Sequence, residues 1–140
     1  MNSENAEPDQ PETYVIRVTL WARTEVDQAQ LAVEALSGLE VSLEWEASFW
    51  EVVETLRVMP YRTIARESER FPFEVRQLVY RRARSSYAHR ILYTIRESSP
   101  WGAVVIVIHV RHASRDDISA TEARIITQQT DLQAFLGDTE

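Results

Sequence analysis

The chain has 140 residues, 44% of them hydrophobic, no cysteine and a formal net charge of -7. That length fits one domain with a proper core, and the lack of cysteine excludes a disulfide framework or a thiolate metal site. The longest apolar run, residues 103–108, is far short of the ~20 residues that span a bilayer. Residues 1–12 are acidic and carry two prolines with no apolar stretch, so they read as a disordered leader and the protein is expected in the cytoplasm.

Tyr14, Ile16, Val18 and Leu20 alternate with Val15, Arg17 and Thr19, the period of a half-buried strand. Thr24 followed by Asp27 predicts a helix start, and Val26, Ala29, Leu31, Ala32, Ala35 and Leu36 then recur at helical spacing up to Ser37-Gly38. A second helix is predicted over residues 41–58, with the stripe Trp45, Phe49, Val52, Val53 and Leu56 and with Pro60 as its stop. The two should pack as a hairpin on a sheet. Residues 61–72 read as a polar loop, and Glu67, Glu69 and Glu74 as solvated. Three strand patterns follow over residues 75–81, 88–96 and 103–111, joined by short turns and hence an antiparallel meander. The third is apolar on both faces, as a central or doubly covered strand must be. Ser119-x-x-Glu122 is a capping box for a short helix in an acidic tail, residues 118–140. The class is α+β, with the domain expected over residues 13–117.

The charge is segregated along the chain. Residues 1–56 carry 12 acids and 2 arginines, net -10; residues 57–115 carry 12 arginines and 4 acids, net +8; residues 116–140 carry 6 acids and 1 arginine, net -5. There is no lysine. Arginine makes bidentate contacts with phosphate or carboxylate, so the middle block suits a polyanion or an acidic protein segment.

Four stretches carry a resemblance: Glu44-Trp45 through Met59-Pro60; Phe73-Glu74-Val75-Arg76-Gln77-Leu78-Val79-Tyr80; Tyr87-x-x-Arg90-Ile91-Leu92-Tyr93-Thr94-Ile95; and Val110-Arg111-His112-x-x-Arg115-Asp116. In this order they resemble the RelE/ParE superfamily, nearest its plasmid-stabilisation branch, over roughly residues 14–117. The resemblance implies a RelE/ParE-like fold and the toxin of a type II toxin–antitoxin pair, with a cognate antitoxin as partner and either mRNA on the ribosome or DNA gyrase as target. His109, Arg111 and His112 offer poor metal-ligand geometry, since neighbouring strand residues point to opposite faces, so no metal is expected, and no cofactor either. A detoxified, antitoxin-binding relic of the fold is the alternative. Ala113 stands where many members have glycine, Thr121 falls near the position of the ribonuclease branch's terminal tyrosine, and that branch's lysine has no counterpart.

Metal-free RNA cleavage needs a base, a cation at the phosphorane and an acid. Arg90 and Arg115 match the family's basic positions and His112 has a suitable ordinary pKa, so these three are the candidate catalytic residues. Arg81, Arg82, Arg84, Tyr87 and Arg111 are candidates for binding nucleic acid or a partner, Tyr87 by stacking on a base. Tyr93, alternating with Ile91 and Ile95, is expected in the core. The acidic tail is expected to be either solvated or folded back on the arginine-rich sheet.

Overall fold

A computed structural model describes residues 13–82 and 88–136. It contains, in chain order, β1 (Val15–Val18), α1 (Leu20–Ser37), α2 (Leu39–Glu54), β2 (Arg76–Arg81), β3 (Ala88–Arg96), β4 (Val104–His112) and α3 (Ala120–Leu136). Short 3-10 turns occupy Thr55–Arg57 and Ser68–Arg70. The fold is α+β: a strand, a helix hairpin, three antiparallel strands and a C-terminal helix. The sheet order is β1-β4-β3-β2, with β1 parallel to β4. The expected disordered leader and the turn between β2 and β3 lie outside the described residues. No helix among the described residues is long and apolar enough to cross a membrane.

The first strand is shorter than its sequence period, because Thr19 and not Thr24 starts the helix. The Thr19 side chain accepts from the Ala22 N–H at 3.1 Å, while its own N–H donates to the Val107 carbonyl at 3.1 Å. One residue thus closes the sheet edge and caps α1. Leu20, which continues the strand alternation, is instead 65% exposed on the first turn of the helix. Gly38 separates the helices at φ 96°, a backbone that side-chain-bearing residues rarely adopt. Its N–H donates to Glu34 and its carbonyl accepts from Ser42, so the link needs no further residue.

The sheet is covered on both faces. On one, Ala22 and Val26 of α1 and Trp45, Phe49 and Val53 of α2 pack on Tyr80, Ile91, Tyr93, Val105, Val107 and Val110. On the other, Ile118, Ala123 and Ile126 join Ala65, Phe71 and Val75 over Leu92, Val104, Ile106 and Ile108. The acidic tail therefore folds back on the sheet, and its helix runs to Leu136, longer than a short cap. The capping box forms in both directions, Ser119 N–H to Glu122 Oε1 at 3.0 Å and Glu122 N–H to Ser119 Oγ at 3.1 Å.

The meander's register carries one irregularity. Leu92 pairs with His109 and Tyr93 with Val107, so Ile108 bulges without a partner on β3. Past the bulge the faces exchange. Val110 joins the hairpin-side core, and Arg111 turns to the α3 side beside its register partner Arg90.

Because Ile126 is 2% exposed and sits between α3 and the sheet, Ile126→Ala should cost about 2–4 kcal/mol of unfolding free energy. Urea denaturation should show a lower midpoint with an unchanged slope, and an unchanged midpoint would mean that α3 is not part of the folding unit.

Candidate functional site: the cationic end of the sheet

The strand directions gather most of the candidate residues at one end. β2 finishes at Arg81, opposite Ala88, where β3 begins; β3 and β4 pair there through His89 and His112, and the Ala113 N–H closes the ladder onto the Ala88 carbonyl at 2.7 Å. Arg81, Arg82, His112 and Arg115 therefore share this end. Arg81 is exposed and Arg82 partly so. Arg82 donates to Glu44 Oε1 of α2 at 3.1 Å, and these two residues, with Ser48, Tyr80 and Arg81, line an open cleft of about 480 Å³. Arg115, its side chain 53% exposed, lies 3.3 Å from Glu122. Arg84 and Tyr87 lie outside the described residues.

Arg90 is not on an open strand face. It is 2% exposed, and four of its five N–H donors are engaged: Nη1 and Nη2 fork onto Glu67 at 2.7 and 2.6 Å, while Nε and Nη2 donate to Gln77 Oε1 at 2.9 and 2.7 Å. Glu67, expected in a solvated loop, is 2% exposed and also accepts from the Ile118 N–H at 3.1 Å. The loop carries it inward because Ala65 and Phe71 on either side are core residues. Burial works to raise the Glu67 carboxyl, but the Arg90 fork and the Ile118 N–H outweigh it and hold it at about 2.

Arg111, likewise buried at 3%, faces α3. Its Nη2 donates to the Asp116 carbonyl at 2.7 Å, and Nη1 lies 3.2 Å from His109 Nε2 and 3.6 Å from Glu122. A guanidinium has no acceptor, so His109 Nε2 accepts and its proton sits on Nδ1. That Nδ1 is 2.9 Å from Glu25 Oε2, at ion-pair distance but off the line of a hydrogen bond. The other Glu25 oxygen accepts the Val110 N–H at 2.8 Å, supplying a partner to β4 beyond the end of β1. Burial and Arg115 push the Arg111 pKa down, and Glu122 offsets them in part.

His112 lies on the opposite face of β4. Its Nδ1 accepts from the Ser114 N–H at 3.0 Å and is 2.6 Å from Ser114 Oγ. Its ring stands 5.4 Å from that of His89, which in turn stands 5.3 Å from Trp45. Burial, with His112 nearby, lowers His89 to about 4.

Of the three candidate catalytic residues, the fold brings His112 and Arg115 to one end and takes Arg90 beneath α3, out of solvent. Tyr93 is buried, as its alternation predicted. Glu25, Glu67 and Gln77, which decide where the arginines go, carry no local pattern. The one legible hint is the setting of Glu67 between Ala65 and Phe71. Comparison of the chain with protein families, with curated proteins and with solved structures finds no match.

Two acid-linked losses of stability follow. His89 has a folded pKa below its ordinary value of about 6.5, so its contribution is present above that value and is lost as pH falls through about 4. Glu67 contributes above the ordinary carboxylate range and loses that contribution as pH falls through about 2. Glu67→Gln should cost about 3–5 kcal/mol at pH 7 by leaving Arg90 unpaired, whereas Arg90→Met/Glu67→Leu together should recover much of it. Urea titrations from pH 7 to 2 check both; a midpoint for Glu67→Gln equal to that of the parent would show that the ion pair does not contribute to stability.

Proposed function

We propose that the chain is a RelE/ParE-like toxin of a type II toxin–antitoxin pair that arrests growth by binding its target rather than by cutting RNA. The reading rests on the resemblance of four sequence stretches and is supported by the order of strand, helix hairpin, three-stranded meander and terminal helix. The observation that favours binding over cleavage is the state of Arg90. Four of its five N–H donors are taken by Glu67 and Gln77 and the residue is 2% exposed, so it presents no open fork to a phosphorane, and stabilising developing charge needs donors aimed at the place where it forms. Both faces of the sheet are covered by helices. A target or acidic antitoxin segment would therefore meet the end carrying Arg81, Arg82 and Arg115, not a sheet face.

Controlled expression in a bacterial host should arrest growth, with mRNA intact and plasmid supercoiling altered, and a co-expressed antitoxin from the neighbouring gene should relieve it. Arg81→Ala/Arg82→Ala/Arg115→Ala should abolish arrest in a protein whose melting curve is unchanged. New mRNA ends during arrest would instead establish the ribonuclease reading. Soluble protein with no growth effect at any expression level would leave the relic.

A further inference from the structure

The helix hairpin packs aromatic, valine and alanine side chains inward and leaves leucines outside. Leu20, Leu31, Leu36, Leu39 and Leu43 are 65, 64, 68, 58 and 52% exposed, while the inward stripe is Ala22, Val26, Trp45, Phe49 and Val53. Two contacts set the antiparallel register of the helices: Arg23 stacks over the Trp50 ring at 5.3 Å, and Gln30 Nε2 reaches the Ser42 carbonyl at 3.5 Å. Leu31 of α1 is thereby level with Ser42 and Leu43 of α2, and Glu34 with Leu39. Along α2, Leu39, Leu43 and the exposed Ala47 recur every four residues and form one outward stripe. Isolated exposed leucines need no explanation, but several at one level of a two-helix layer make a patch.

The frame around the patch is acidic. From Leu20 to Leu56 the hairpin has eight acidic residues and one arginine, and that arginine is stacked on Trp50. Asp27, Glu34 and Glu40 are exposed and make no ion pair among the described residues. This charge decides among occupants. A second copy would set these acids against themselves, at an electrostatic cost. Residues 1–12 of the same chain, with four acids and no base, meet the same repulsion.

We propose that the distal half of the hairpin, centred on Leu31, Leu39 and Leu43, is a docking surface for a basic amphipathic helix of another protein. Its apolar stripe covers the leucines and its flanking lysines or arginines pair with Asp27, Glu34 and Glu40. This is the helix-on-groove mode, in which apolar anchors at i, i+3, i+4 and i+7 supply affinity and flanking charge supplies orientation. The surface is separate from the cationic end, and the inference stands whether or not the chain is a toxin.

The probe is a synthetic peptide of about 18 residues, five helical turns, with leucine at one stripe and lysine beside it. Its control is a shuffled peptide of identical composition without the stripe. Isothermal titration should give binding of the patterned peptide in the micromolar range and at least about tenfold weaker binding of the shuffled one. Leu39→Ser/Leu43→Ser, in a chain whose circular dichroism is unchanged, should weaken the patterned peptide by a similar factor, and Glu34→Lys/Glu40→Lys should weaken it most at low salt. Equal binding of the two peptides, or undiminished binding by the serine variant, would overturn the proposal. So would sedimentation showing a dimer that the serine variant abolishes, which would assign the patch to a second copy.

Discussion

The buried pair Arg90–Glu67 is the contact on which the rest of the α3 side depends. Through it a strand residue, the loop before β2 and the entry to α3 are tied at one point, since Glu67 holds both terminal guanidinium nitrogens of Arg90 and the Ile118 N–H. Gln77 of β2 takes two more of the guanidinium N–H groups. A buried ion pair of this kind gives little net stability over apolar side chains of the same volume, but removing one partner is severe. Its effect is to permit one arrangement. The loop cannot leave the sheet without stranding a charge, and α3 cannot leave without uncovering it.

The arginine-rich block is drawn into pairs as well. A net +8 over 59 consecutive residues would be a strong field if those side chains shared a face, but the fold distributes them. Arg66 pairs with Asp117, Arg82 with Glu44, and Arg111 and Arg115 converge on Glu122. Arg76 and Arg96 lie over Tyr61 and Phe73, and Arg70 donates to the Ile118 carbonyl. The acids that answer these cations come from the acidic flanking segments as much as from the block itself. Arginine suits this use because its planar fork can satisfy carboxylates and loop carbonyls together at low dielectric. At the end of the sheet Arg81, Arg82 and Arg115 keep surface exposure even where they are paired, and the acidic hairpin turns its leucines to solvent.

The β4 bulge shapes that outcome. Strict alternation from Val104 would place Val110 with Ile106 on the α3 side and Arg111 toward the hairpin. One unpaired residue, Ile108, exchanges them. Arg111 is thereby buried next to Arg90 and reached by the first turn of α3, while His112 turns to the hairpin side beside His89 and Trp45. Two neighbouring residues of one motif thus end in unlike environments.

Local chemistry in the chain determines the elements. Period 2 and period 3.6, the stop at Pro60, the break at Gly38 and the reciprocal Ser119/Glu122 cap are short-range properties of the backbone and its nearest side chains, and the doubly apolar β4 already implies cover on both faces. The sequence marks the arginines but cannot say which are spent, because that depends on partners distant along the chain: Glu67 is 23 residues from Arg90, and Glu25 is 85 from Val110. The sequence places the helix start at Thr24 because Leu20 extends the strand alternation, and only the Thr19 N–H bond to Val107 across the sheet ends the strand. The burial of Glu67, the face exchange at Ile108 and the outward leucines are decided where elements meet. There, desolvation makes an unpaired polar group costly, and contacts between distant segments, Glu67 and Gln77 on Arg90 and Glu25 on the Val110 N–H, meet much of that cost.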